Sequence, residues 1–166
     1  MHEEIRMIDY VWLVPFFPLC GVIINGLPGI RFPRRIIGPV ACATVGLSFL
    51  VSCGILIQLV AMPAEKRVVE RIVFTWLESG TFKASAGFLV DPLSVVMMAV
   101  VSGVSFLIHI YSIGYMWDSE YGASGYRRFF VYLNLFVMFM LILVSANNFL
   151  MMFIGWEGVG LCSYLL

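Results

Sequence analysis

FFVYLNLFVMFMLILVSANNFLMMFIGWEGVGLCSYLL, residues 129–166, decides the fold. Two apolar runs meet at Ser145-Ala146-Asn147-Asn148, a polar cluster whose side chains favour turns and helix caps over helix interiors. The stretch therefore reads as two helices, about 127–145 and 148–166, each close to the ~20 residues that cross about 30 Å of hydrocarbon. Its only formal charge is Glu157. Nine residues beyond Asn148 is roughly 14 Å of helix, close to the bilayer midplane, and a glutamate stem is too short to reach either interface from there. A lone carboxylate in hydrocarbon costs roughly 2.5–3.5 kcal/mol on insertion scales, so a chain that keeps one normally uses it for ion or proton movement.

The same pattern extends outward through the chain. Apolar residues make up 61% and charged residues 12%, and the mean hydropathy of +0.99 lies far outside the soluble range. Charge-free runs cover residues 10–30, 36–64 and 92–117. The expected fold is all-α: a polytopic transmembrane helical bundle of about five helices, at about 10–30, 36–62, 92–115, 127–145 and 148–166. Pro15 and Pro18 would remove backbone donors and bend the first helix, Pro63 stops the second, and Asp91-Pro92 is an N-cap acid followed by proline at the first helical position. Residues 64–90 differ in kind, mixing seven charges with apolar residues on either side of Glu78-Ser79-Gly80, which predicts a short extramembrane β-hairpin over about 71–90. The Gly- and Ser-rich segment 116–126 reads as a loop.

Net charge is zero, which removes the argument for a nucleic-acid partner or a polybasic lipid anchor; the surface that matters faces lipid and other helices. The first nine residues hold Glu3, Glu4 and Asp9 beside Arg6, unlike a secretory leader, so the first apolar run reads as a retained helix. Cys20, Cys42, Cys53 and Cys162 all lie in apolar runs without C-x-x-C spacing and read as buried small side chains, not as disulfides or metal ligands. There is no nucleotide loop, metal cluster or nucleophile triad in the sequence. Basic residues in loops tie in number across the two sides. However, Arg31, Arg34, Arg35, Arg127 and Arg128 crowd against helix ends, where the positive-inside effect is strongest. That places the arginine loops in the cytoplasm or matrix, and the N-terminus and the hairpin outside.

Glu157 is the candidate proton-translocating residue. Gly155, Gly158 and Gly160 around it would let another helix approach closely or admit water, while the competing reading is a protonated glutamate serving as helix glue. No Lys or Arg lies inside the five helices, so a counter-charge for Glu157 must come from elsewhere. His109, about 26 Å along the third helix, is compatible with a proton relay and equally with a side chain hydrogen-bonded at headgroup level. Asn134 reads as an interhelical hydrogen bond, and Tyr111, Tyr115, Trp117, Tyr121 and Tyr126 read as an interfacial aromatic belt.

The run Gly155-Trp156-Glu157-Gly158-Val159-Gly160-Leu161-Cys162-Ser163-Tyr164-Leu165-Leu166 resembles the fifth-helix signature in the family of the largest antiporter-like subunit of proton-pumping NADH:quinone oxidoreductase, respiratory complex I. Phe88-Leu89-Val90-Asp91-Pro92-Leu93-Ser94, the stretch Phe106-Leu107-Ile108-His109-Ile110-Tyr111-Ser112-Ile113-Gly114-Tyr115-Met116 and Arg128-Phe129-Phe130 support it, collinear over most of the chain. The resemblance implies a proton-translocating part of an enzyme complex that itself does no redox chemistry and binds no cofactor. NAD, FMN, iron–sulfur clusters and quinone would belong to other parts of the complex. Implied partners are the other membrane subunits of complex I, including a neighbouring antiporter-like subunit, and the lipid bilayer, with a bacterial inner membrane favoured over a mitochondrial one. The implied role of Glu157 is to pair with a lysine on a later, broken helix, and the family also puts the N-terminus and hairpin on the outer side. Family members continue through many more helices, so the chain is expected to be a fragment, a split product or a truncation. The rival readings are a subunit of a multisubunit sodium/proton antiporter and a non-functional truncated fragment.

Overall fold

A computed structural model describes residues 7–79, 82–117 and 122–166. Five α-helices occur in it: α1 (Leu13–Gly26), α2 (Arg34–Ala61), α3 (Pro92–Tyr115), α4 (Gly122–Ser145) and α5 (Phe149–Leu165). Between α2 and α3 lies an antiparallel hairpin of β1 (Val69–Ser79) and β2 (Phe82–Val90). The protein is an integral membrane protein: four helical stretches, α2, α3, α4 and α1 with the 3-10 turn before it, are long and apolar enough to cross a bilayer, while α5 has 17 residues.

The caps act where the sequence puts them. Asp91 Oδ1 accepts from Ser94 N at 2.7 Å while Ser94 Oγ accepts from Asp91 N at 3.0 Å, a reciprocal capping box that starts α3 straight out of β2. Asn148 Oδ1 accepts from Leu150 N and Met151 N at 3.1 and 3.0 Å and starts α5.

Two helix limits differ from expectation. The first helix is regular only over Leu13–Gly26, with short 3-10 turns at Met7–Tyr10 and Pro28–Arg31 taking up the rest of the apolar run. More consequentially, α4 starts at Gly122 instead of about 127. Gly122 takes φ +66°, a left-handed value that favours glycine, and the chain enters the helix at once. Gly125 and Tyr126 are then buried as part of it.

Tyr126 also leaves the expected aromatic belt. It is fully buried, 4.9 Å from the Phe130 ring and 6.1 Å from Trp117, and its hydroxyl lies 2.7 Å from where a Cβ on Gly38 would stand. The missing side chain at Gly38 therefore makes the slot that α4 fills with a ring. Tyr111 and Tyr115 do stay exposed and stack at 5.8 Å; Tyr121 lies outside the described residues.

The helices alternate direction, so the two ends of the bundle differ chemically. At one end Arg127 Nη1 donates to Gly26 O at 3.1 Å and Arg34 Nη1 donates to Trp117 O at 2.8 Å, tying the α1–α2 and α3–α4 connections together. At the other end Arg71 pairs with Asp9, Asn147 Nδ2 donates to Glu70 Oε1 at 2.7 Å, and Asn148 Nδ2 donates to Ser85 O at 2.5 Å. The hairpin is thus clamped to the N-terminal turn and to the α4–α5 link, on the opposite end from the arginines. Its outer side leaves Ile72, Val73, Phe74 and Trp76 exposed.

One apolar cluster fills the hairpin half, with Val14, Val45, Ile55, Leu59, Phe88, Val90, Val95, Met98, Val137 and Leu141. A second, Ile37, Ala41, Tyr126 and Phe130, fills the arginine half. Between α2 and α3 the packing is reciprocal: the Phe106 ring lies 3.0 Å from the Cβ position of Gly46, and the Phe49 ring 2.8 Å from that of Gly103. A side chain on either glycine would push the helices apart.

Candidate functional site

The polar groups inside the bundle fall into two sets, and the structure does not bring them together. The first is buried where α1, α2, α3 and α4 converge. His109 is fully buried, with Nδ1 2.7 Å from Ser105 O one turn back and Nε2 3.1 Å from Asn134 Oδ1 on α4. The Phe130 ring, 6.2 Å away and tilted by 50°, covers one side. Asn134 is thereby the interhelical hydrogen bond that its position suggests. His109 is thus hydrogen-bonded inside the bundle, against Asn134 and Phe130 of α4, which distance along α3 alone does not reveal.

Gly21 on α1 completes this set. A Cβ there would collide with Asn134 Nδ2 and stand 2.5 Å from Thr44 Oγ1, so only a bare backbone can pass these two polar atoms. Thr44 itself donates to Ala41 O at 2.9 Å. Thr44 is the member of this group that sequence reading missed; its only signal is a hydroxyl in an apolar helix.

The second set is Glu157 on α5. Gly155 and Gly158 seat this helix on α4: a Cβ on Gly155 would come within 2.7 Å of the Leu143 backbone, and one on Gly158 would strike the Phe139 ring. Both glycines are buried and one turn apart, so they mark the α4-facing side. Glu157 follows Gly155 by two positions, which is 200° around the helix, and points away. It is exposed, with no hydrogen bond or ion pair among the described residues, and it shares its face with the exposed Phe153, Trp156, Leu161 and Tyr164. Gly160, expected with the other two as packing, instead has nothing within 4 Å, because it lies one turn beyond Glu157 on that same open face. Beside this face Leu143, Phe149, Met152, Phe153 and Trp156 line an open apolar groove.

Glu157 places a carboxyl group in the middle of an apolar helix, and His109 places an imidazole inside the bundle. Among the described residues no group of His, Cys, Asp and Glu has metal-binding proximity. Fold and groups together define a polytopic helical membrane protein with ionisable side chains at intramembrane depth. Residues 76–130 match the family described as NADH-ubiquinone oxidoreductase (complex I), chain 5 N-terminus. Over nearly all its length the chain is also 42% identical to the NADH-quinone oxidoreductase subunit L of Neisseria meningitidis serogroup B, across 93% of this chain and 22% of that protein. It is 40% identical to subunit L of Escherichia coli K12, across 93% and 24%, and 40% identical to the chloroplastic NAD(P)H-quinone oxidoreductase subunit 5 of Mesostigma viride, across 95% and 24%. The chain spans about a quarter of the length of these relatives. Its sequence falls in the family of the largest antiporter-like subunit of complex I and corresponds to an N-terminal portion of it.

Proposed function

We propose that this segment works in a proton-translocating membrane subunit of an NADH:quinone oxidoreductase, that Glu157 is the residue that exchanges protons, and that His109 is a secondary proton site. One observation carries the reading: the only charge of α5 stands at its centre on the face that α4 leaves uncovered. A structural glutamate would be expected to turn toward α4 and be satisfied there, as Asn134 is by His109. Gly160, bare and one turn further along, leaves room for a helix or for water to approach the carboxyl. The groups that do electron transfer, nicotinamide, flavin, iron–sulfur clusters and quinone, are assigned to other subunits of such a complex. The partners are other membrane subunits of such a complex. The arginine end is assigned to the cytoplasm of a bacterial cell and the hairpin end to the outside, on the strength of Arg31, Arg34, Arg35, Arg127 and Arg128, which crowd that end of the bundle.

The test is Glu157→Gln in the protein that carries this segment, assembled in its complex. The amide keeps shape and hydrogen bonding but cannot titrate. NADH-driven quinone reduction and proton uptake would be measured in membrane vesicles, with assembly checked on native gels. Proton uptake per NADH should fall in the Gln variant and fall less in Glu157→Asp, where the acid remains with roughly one methylene less reach. Full proton uptake in a fully assembled Gln variant would remove the role from Glu157.

A further inference from the structure

The hydrogen bonds of His109 do not fit a neutral ring. Nδ1 faces the Ser105 carbonyl oxygen and Nε2 faces Asn134 Oδ1, and both partners are acceptors only. A neutral imidazole has a single N–H, so this arrangement matches a ring protonated at both nitrogens. It also strands a donor: Asn134 Nδ2 is buried without a hydrogen-bond partner among the described residues. That nitrogen points into the gap over Gly21, where Thr44 Oγ1 lies on the other side, using its own hydrogen on Ala41 O and keeping its lone pairs free.

Turning the Asn134 amide over about its last side-chain bond, a soft and nearly two-fold torsion, exchanges every role. Nδ2 then donates to a bare Nε2, while Nδ1–H still donates to Ser105 O. Oδ1 enters the gap over Gly21, where the Thr44 hydroxyl can leave Ala41 O and donate to it. All buried polar atoms of the group are satisfied, and the ring is neutral. We propose that Asn134 and Thr44 are positioning residues that form an amide switch serving both protonation states of His109, making this ring a reversible proton site inside the α1–α4 bundle. Deprotonation breaks the Nε2–H bond and releases that proton to water, leaving Nδ1–H in place. Thr44 bears mainly on the neutral state, because in the charged arrangement Nδ2 does without it. The inference goes beyond the role assigned to Glu157 and does not depend on it.

Among the described residues no charged side chain is bonded to the ring. Arg34 and Arg35 begin α2, Arg127 and Arg128 lie in the second turn of α4, and Arg34 and Arg127 are engaged with Trp117 O and Gly26 O. Glu157 faces out from α5. Cys20 on α1, Cys42 and Cys53 on α2, Tyr111 and Tyr115 on α3, and Tyr126 and Tyr132 on α4 are the other titratable groups of the four helices. None of them has a hydrogen bond to His109 among the described residues.

The test uses this chain in lipid bilayers, with His2→Gln leaving one histidine, labelled with 15N at histidine and asparagine side chains and followed by solid-state NMR against pH. In the unmutated Thr44 background the neutral ring should be the Nδ1–H tautomer, and the Asn134 NH2 resonance should move together with the ring's titration. Thr44→Val should raise the ratio of charged to neutral ring at a fixed pH by about tenfold, the equivalent of one hydrogen bond lost from the neutral state, whereas Thr44→Ser should stay within about twofold. A neutral Nε2–H tautomer, a ring held in one protonation state from about pH 4 to 9, or a Val variant that titrates like the Ser variant would each overturn the proposal. If Thr44→Val does not fold, the tautomer and the asparagine resonance of the unmutated site decide alone.

Discussion

Pro18 lies inside α1 and has no N–H, so the carbonyl four residues back, Val14 O, loses its helical partner. Ser48 on α2 supplies one: its Oγ donates to Val14 O at 2.5 Å, with both residues fully buried. Removing the hydroxyl in Ser48→Ala leaves a carbonyl unpaired in an apolar interior. That costs about 1–3 kcal/mol in soluble proteins, while interhelical hydrogen bonds in membranes average ~0.6 and reach ~1.7. Because Val14 O has no intrahelical alternative, the expected loss is at the upper end of the membrane range, about 1.5 kcal/mol. Pro18→Ala returns an N–H that can reach Val14 O. In that background Ser48→Ala should cost under about 0.5 kcal/mol, a coupling of about 1 kcal/mol between two residues thirty positions apart in sequence. Unfolding of the four variants by denaturant titration in mixed micelles, or by steric trapping in bicelles, reads the cycle. Equal costs of Ser48→Ala in the two backgrounds would show that Ser48 does not compensate for the proline.

Three further outcomes are expected. Gly155→Ala should destabilise the α4–α5 contact by about 1–3 kcal/mol, because its Cβ meets Leu143 backbone that cannot swing aside, whereas Gly160→Ala in this chain should change stability by under about 0.5 kcal/mol; the same unfolding assay checks the pair. Tyr126→Phe should be neutral or stabilising by up to about 1 kcal/mol, since it removes a buried hydroxyl that has no hydrogen-bond partner among the described residues and keeps the ring contacts, and a measured destabilisation instead would mean the hydroxyl is bonded. In a cysteine-free background, Val73→Cys in cells should react with an impermeant thiol reagent and Arg35→Cys should not; labelling confined to position 35 would invert the assigned orientation.

Much of the architecture is legible because membrane helices leave coarse signals. Charge-free length and cap residues such as Asp91 and Asn148 mark where helices run, and the charged segment with Glu78-Ser79-Gly80 marks the hairpin. What escapes is whatever depends on a neighbour. Gly122-Ala123-Ser124-Gly125 reads as a loop by composition, yet it is helical because Tyr126 packs into the slot at Gly38, 88 residues away. Position along α3 is visible in sequence for His109, but its burial depends on Asn134 and Phe130 of another helix. For Glu157 the residue type and the position along α5 are visible in sequence, but the face is not: only the collision of Gly155 and Gly158 with α4 shows that the carboxyl points away and that Gly160 goes with it.

Most buried polar side chains of the bundle have a structural occupation. Ser52, Ser102 and Ser145 turn their hydroxyls back onto Ser48 O, Met98 O and Leu141 O in their own helices, at 2.9, 2.6 and 2.5 Å. Such bonds add little, because those carbonyls already belong to the helical ladder. Ser48 and Asn25, which donates to Ile37 O at 3.1 Å, join α1 to α2, and His109 with Asn134 joins α3 to α4. Glu157 does neither: it returns no bond to its own helix and ties no neighbour among the described residues, although it is the costliest of these groups to hold in hydrocarbon. A polar group that packing explains can be lost with a graded penalty in stability alone. Within these five helices packing offers no account of Glu157, and the variant that tests the proposed proton role is Glu157→Gln, which removes the titratable group and leaves shape almost untouched.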